Sequence, residues 1–152
     1  MTDSEHLFRL VGQKLELLEQ LHACSGNQMP YVDADDMGAV IEILAAKQRL
    51  LIAIEGIDRQ ITQYRVDDPE DRVWPSREMR EQCRERISQC EHLIRETLEQ
   101  DRLAAQCLTE KKYAVQHQLQ QLTDTAHVQG VYRRHQARTA TPDSVRLDLG
   151  SG

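Results

Sequence analysis

A stretch of 54 residues, 76–129, contains neither glycine nor proline. Those two residues commonly end helices, whereas the Leu, Gln, Glu, Arg and Ala that dominate the stretch favour helix. Because its apolar positions recur in steps near 3.5 residues, the stretch is predicted to be one very long helix capped by Ser76. Two four-residue steps meet near Asp101, so a bend or break within residues 101–109 is the alternative. The apolar positions are Met79, Cys83, Ile87, Cys90, Ile94, Leu98, Ala105, Leu108, Val115, Leu119, Leu122 and Ala126.

The composition narrows the class of protein further. At 152 residues the chain is expected to form one domain, and 4% aromatic residues are too few for a typical sandwich or α/β core. A net charge of −6 has the wrong sign for a nucleic-acid binder. The acidic N-terminus has no secretory signal, no segment reaches the roughly 20 apolar residues of a membrane span, and the four cysteines form no CxxC pair. We therefore expect a cytoplasmic protein with reduced thiols, no membrane insertion, no nucleic-acid partner and no cofactor.

A first helix is predicted over residues 3–23, before the long stretch. Thr2 and Glu5 have the spacing of a capping box, and leucines follow at helical intervals. Gly26 and Pro30 are expected to end this helix. The acidic cluster at 33–36 then supplies a cap for the next helix.

A second helix, predicted over residues 34–65, carries the most regular apolar pattern in the chain. Its seam positions alternate in steps of three and four and hold Val40, Ile43, Lys47, Leu50, Ile54, Ile57, Ile61 and Tyr64. A second set of apolar residues widens the stripe in the N-terminal half, so this half is expected to contact two partner helices. These residues are Met37, Ile41, Leu44 and Leu51.

Prolines 69 and 75 predict a turn over residues 65–75, and Trp74 is expected to pack this turn onto Met79 or Cys83. Gly130 is expected to end the last helix, leaving residues 131–152 as a flexible tail after a helical domain of residues 1–130. The predicted fold is all-α: an elongated antiparallel bundle of three long helices, or of four if the third segment breaks at 101–109.

The lengths of the predicted helices do not match. At 1.5 Å per residue the second helix spans roughly 46 Å and the third roughly 80 Å. Residues 108–129 therefore extend past their predicted partner or fold back, and they still carry apolar side chains that need a cover. The predicted partner-binding residues are Leu108, Val115, Leu119, Leu122 and Ala126, with Tyr132 as a further contact at the edge.

Motifs for catalysis are few. A di-iron bundle needs two Glu-x-x-His pairs, but only Glu19 and His22 form one on a strongly predicted helix. The sequence contains no GxSxG, P-loop or GxGxxG motif. Residues 54–61, IEGIDRQI, resemble the opening helix of all-helical chorismate mutases, but the chain then turns at Asp67 where those enzymes continue the helix. We therefore expect no enzyme activity and no metal.

Three segments resemble the FlgN-type flagellar export chaperones. They are LELLEQL at 15–21, DMGAVIEILAAKQRLL at 36–51, and residues 119–133, which run from LQQL at 119–122 through GVYR at 130–133. The resemblance implies a small cytoplasmic chaperone that binds the C-terminal helices of hook-filament junction proteins, prevents their premature assembly and delivers them to the flagellar export gate. The alternative is a structural coiled-coil adaptor that forms homodimers through its C-terminal helix.

Overall fold

The computed structural model describes residues 2–64 and 72–137. They form three helices, α1 (Asp3–Asp33), α2 (Met37–Thr62) and α3 (Arg77–Ala137), and no strand lies within this part of the chain. The chain divides into two compact units, Met1–Leu108 and Thr109–Gly152. The predicted all-α bundle of three helices is confirmed. The predicted turn at 65–75 and tail at 131–152 lie largely outside the described residues.

Two salt bridges connect the helices of the first unit. Lys14 of α1 pairs with Asp58 near the end of α2 at 2.7 Å, and Lys47 of α2 pairs with Asp101 of α3. The core clusters give the direction: Ile61 packs with Cys83 and Ile54 with Cys90, so later residues of α2 meet earlier residues of α3, as an antiparallel bundle requires. The hydroxyl of Ser4 also donates to the Val73 carbonyl, which holds the segment before α3 against the start of α1.

The start of α1 follows the sequence prediction, but its end does not. Thr2 caps the helix through a complete capping box with Glu5. The helix then continues through Gly26 and Pro30 to Asp33, so the predicted end near residue 23 is wrong. The reason is burial: Gln28 and Val32 beyond the glycine are both buried, and their packing offsets the cost of a helical glycine, roughly 1 kcal/mol, and of Pro30, roughly 3 kcal/mol.

Helix α2 begins at an acidic cap, as predicted. The Asp36 carboxylate accepts the backbone N–H of Ala39 at 3.2 Å, and Asp35 before it occupies the left-handed region at φ 57°. The predicted seam is confirmed, because all eight of its positions are buried or half-buried. It fills two core clusters together with the other helices. One contains Leu7, Leu10, Val11, Ile61 and Cys83, and the other contains Leu18, Leu21, Ile54 and Cys90.

Helix α3 is continuous, so the alternative of a break within residues 101–109 is wrong. Its buried positions recur every seven residues, at Cys83, Cys90, Thr97 and Ala104. The apolar Leu98, which the sequence pattern placed in the core, is 63% exposed. The spacing of apolar residues changes near Asp101 because the core position is held by the polar Thr97, while the apolar Leu98 beside it is exposed.

Helix α3 also continues through Gly130 to Ala137, which corrects the predicted end of the last helix and places residues 131–137 outside the predicted tail. A glycine inside a helix costs roughly 1 kcal/mol without forcing an end, and the next proline is Pro142. Trp74 packs against the cluster that contains Cys83, as predicted.

Candidate partner-binding surfaces

The C-terminal part of α3, residues 109–136, exposes nearly all of its side chains to solvent. Every residue from 109 to 136 is exposed apart from the half-buried Lys111 and Gly130. Four apolar residues lie on one side of it at steps of four, three and four. We name this set the C-terminal stripe; it consists of Val115, Leu119, Leu122 and Ala126.

The structure brings most of the predicted partner-binding residues together, but not all of them. Leu119 is 37% exposed and Leu122 66% exposed, and both belong to the C-terminal stripe. Leu108 belongs to the first unit and is half-buried there. Tyr132 is exposed but follows Ala126 by six residues, which places it about 120° around the helix from the stripe. The roles of these residues in partner binding remain predictions.

Three exposed apolar residues of the same unit had not been predicted as contacts. They are Tyr113, Val128 and Val131. They do not occupy the heptad positions of the C-terminal stripe, so the apolar periodicity in the sequence did not identify them. Their exposure adds apolar surface on other sides of the helix.

The second apolar set on α2 is exposed instead of packed, which corrects the expectation that this half of the helix contacts two partners through it. The bundle has no further helix within the described chain to cover it. We name this set the α2 outer stripe; it consists of Met37, Ile41, Leu44 and Leu51.

A polar layer joins all three helices inside the first unit. The Lys47 ammonium and the Gln28 amide, which donates at 2.8 Å, both contact the Asp101 carboxylate. Burial alone would raise the pKa of Asp101, but the hydrogen bonds from Lys47 and Gln28 outweigh it and hold that pKa below its usual value. This layer fixes the register of the helices, since a shift of one turn would leave the buried Lys47 without its counter-charge.

Sequence reasoning placed Lys47 in the seam but missed its partner. A lysine at a buried seam position needs a carboxylate on a facing helix, because an unpaired buried ammonium is costly. In an antiparallel hairpin the partner must lie as far after the turn as Lys47 lies before it. Counted from the turn at 65–75, that position lies near residue 93, eight residues before Asp101, so the sequence signalled the need for a carboxylate without identifying Asp101 as the partner.

Groups that could perform chemistry are dispersed or inert in the described chain. No cluster of three or more His, Cys, Asp or Glu side chains there could hold a metal ion. His22 pairs with Glu96 of α3 at 2.8 Å rather than joining Glu19 in a metal site. Burial raises the pKa of the Cys83 and Cys90 thiols, which makes them poor nucleophiles.

None of the helices in the described residues combines the length and the apolarity that crossing a bilayer requires. No protein-family model matches the chain, and no curated protein and no solved structure matches it either.

Proposed function

We propose that this protein is a non-enzymatic export chaperone of the FlgN type, which holds a helix of its client against the C-terminal stripe. The client class comes from the sequence resemblance: the C-terminal helices of flagellar hook-filament junction proteins. The chaperone keeps these helices from assembling early and delivers them to the export gate. Both steps take place in the cytoplasm and neither makes or breaks a bond.

The exposure of residues 109–136 supports this proposal more than any other observation. A lone helix gains most of its stability from burying an apolar face, and in this unit the described chain buries none of that face. A client's amphipathic helix would cover Leu119 and Leu122 and remove both apolar surfaces from water. Leu122, at 66% exposed, has the most area to gain from such a cover.

A second copy of the chain could cover the same stripe, and this is the basis of the adaptor hypothesis. The stripe repeats at heptad spacing, which also suits a homodimeric coiled coil. A chaperone is expected to be monomeric or weakly dimeric alone and to form a stable complex with its client. An adaptor is expected to dimerise tightly whether or not a client is present.

The test is a titration of the full chain with a synthetic peptide of a junction protein's C-terminal helix, monitored by calorimetry and by sedimentation. The double variant Leu119→Glu and Leu122→Glu should weaken binding at least about 100-fold, since two buried leucines contribute roughly 1.5–3 kcal/mol each. The helicity of the variant should stay unchanged because neither side chain belongs to a core cluster.

The matched control is Gln116→Glu with Gln121→Glu, which adds the same charge to the same helix. These positions lie about 100° and 120° from Val115 around the helix, so the control should bind like the parent. Leu44→Glu with Leu51→Glu, on the α2 outer stripe, should also bind normally. Loss of binding in this last variant alone would show that the client binds the α2 outer stripe instead of the C-terminal stripe. Tight dimerisation of the chain without a client would favour the adaptor hypothesis.

A further inference from the structure

A cavity of about 560 Å³ opens among the three helices of the first unit, at the end that holds Trp74. Its apolar walls come from all three helices and from the segment before α3. Cys83 and Cys90, at successive core positions of α3, form part of the cavity floor. The walls are formed by Leu7, Val11, Ile61, Trp74, Ile87 and Ile94.

Positive charge surrounds this apolar space. Arg72, Arg80, Arg84 and Lys14 line the cavity, against the single carboxylate of Glu91. Asp58 neutralises Lys14, whereas Arg72 donates to the carbonyl of Tyr64 and forms no ion pair with a carboxylate of residues 2–64 or 72–137. Within the described residues, neither Arg80 nor Arg84 forms an ion pair. The lining therefore has a surplus of guanidinium groups.

We propose that the cavity is a binding site for a monomeric anionic amphiphile with one alkyl chain, such as a medium-chain carboxylate. The chain would lie along Trp74, Ile87 and Ile94, the more accessible apolar part of the lining, where water has few polar partners. The carboxylate would lie against Arg80 and Arg84, whose planar guanidinium groups suit two-point contact with a carboxylate. The volume lies within the range typical of small-molecule sites.

This site is independent of the proposed chaperone function. It lies in the first unit and uses no residue of the C-terminal stripe. The charge of the lining also selects among amphiphiles: a cationic head group would meet uncompensated arginines, and a neutral head group would gain no charge-assisted bond.

The test uses the single tryptophan of the chain as the reporter, because Trp74 lines the cavity. The full chain is titrated with decanoate below its micelle concentration, and in parallel with decyltrimethylammonium, decyl glucoside and acetate. Decanoate should change the Trp74 fluorescence saturably with one molecule bound per chain. The cation, the neutral glucoside and acetate should bind at least about tenfold more weakly, since each lacks the charge or the alkyl chain.

Two variants separate the site from general apolar binding. Arg80→Gln with Arg84→Gln should weaken decanoate binding about tenfold, as expected for two partly exposed ion pairs. The control Arg49→Gln with Arg95→Gln changes the net charge equally at exposed positions outside the cavity and should have no effect. Ile87→Glu, at an apolar wall residue that is 41% exposed, should also weaken decanoate binding, because it removes apolar surface and adds a negative charge. If that variant does not fold, the arginine double variant provides the test.

The proposal is overturned if decanoate gives no saturable signal, or if the cationic amphiphile binds as tightly as decanoate. It is also overturned if the Arg80 and Arg84 double variant binds decanoate like the parent. Client binding at the C-terminal stripe can fail without affecting any of these outcomes.

Discussion

Replacing Asp101 with leucine should destabilise the first unit by about 2 kcal/mol. Removing one partner of a fully buried ion pair costs about 3–5 kcal/mol, because the other charge is left desolvated. Here the Lys47 side chain is 8% exposed and that of Asp101 36% exposed, so solvent screening reduces the cost by roughly half. In a unit of this size the midpoint of thermal unfolding should fall by roughly 10 °C.

The double variant Lys47→Met with Asp101→Leu should recover most of this loss and lie within about 1 kcal/mol of the parent. Urea unfolding followed by Trp74 fluorescence is the appropriate assay, since Trp74 packs on a core cluster of the first unit. The reasoning is refuted if Asp101→Leu alone leaves the unfolding free energy unchanged, or if the double variant is less stable than Asp101→Leu. Either result would mean that the two charges do not depend on each other.

The same pair predicts how stability depends on pH. The pKa of Asp101 is lower in the folded chain than in the unfolded chain, so its contribution is fully present above the unfolded pKa of about 3.9. It is lost as the pH falls through the lower, folded value. The stability difference between the parent and Asp101→Asn should therefore be constant at pH 5–7 and shrink below about pH 4. A constant difference at all pH values would contradict this account.

Two further predictions concern buried side chains of α3. The buried hydroxyl of Thr97 has no hydrogen-bond partner within the described chain. Thr97→Val should therefore stabilise the first unit by about 1 kcal/mol, measured by urea unfolding. A loss of stability would show that the hydroxyl is hydrogen-bonded. A disulfide reagent at pH 8 should label the half-buried Cys24 and Cys107 quickly. It should label Cys83 and Cys90 only after unfolding, because both thiols are buried and burial raises their pKa. Four equal labelling rates would contradict the assigned core.

The sequence was most informative where apolar side chains coincide with the core. The α2 seam was predicted position by position, because its buried positions are aliphatic apart from Lys47 and Tyr64. The N-terminal cap of α1 was also predicted, since a capping box is a local interaction between Thr2 and Glu5. Local and periodic signals of this kind need no knowledge of the rest of the chain.

The errors arose where tertiary packing overrides a local signal. Gly26 and Pro30 are strong helix-ending residues, but the burial of Gln28 and Val32 extends α1 past them. In α3 the core heptad places Thr97 inside and Leu98 outside, the reverse of what hydrophobicity alone indicates. A count of apolar residues cannot detect a core position that is polar, and it therefore produced a false interruption near Asp101.

The candidate surfaces were only partly predictable for a related reason. The mismatch of helix lengths left two outcomes open for residues such as Leu119 and Leu122, exposure or a fold-back into a fourth helix; α3 is continuous and both side chains are exposed. The α2 outer stripe has the same apolar character as a packed face, so the sequence could not distinguish it from core. The cavity lined by Trp74, Ile87 and Ile94 depends on the spacing of three helices and has no sequence signal of its own.

Hydrogen exchange of residues 109–137 tests the central claim most directly. In the isolated monomer the amides of this segment should exchange quickly, because no packed face protects the helix, whereas those around Cys90 should exchange slowly. Addition of a junction protein's C-terminal helix should slow exchange most strongly around Leu119 and Leu122. Strong protection of this segment in the monomer alone, or no change on adding the client helix, would contradict the claim that the C-terminal stripe needs a partner.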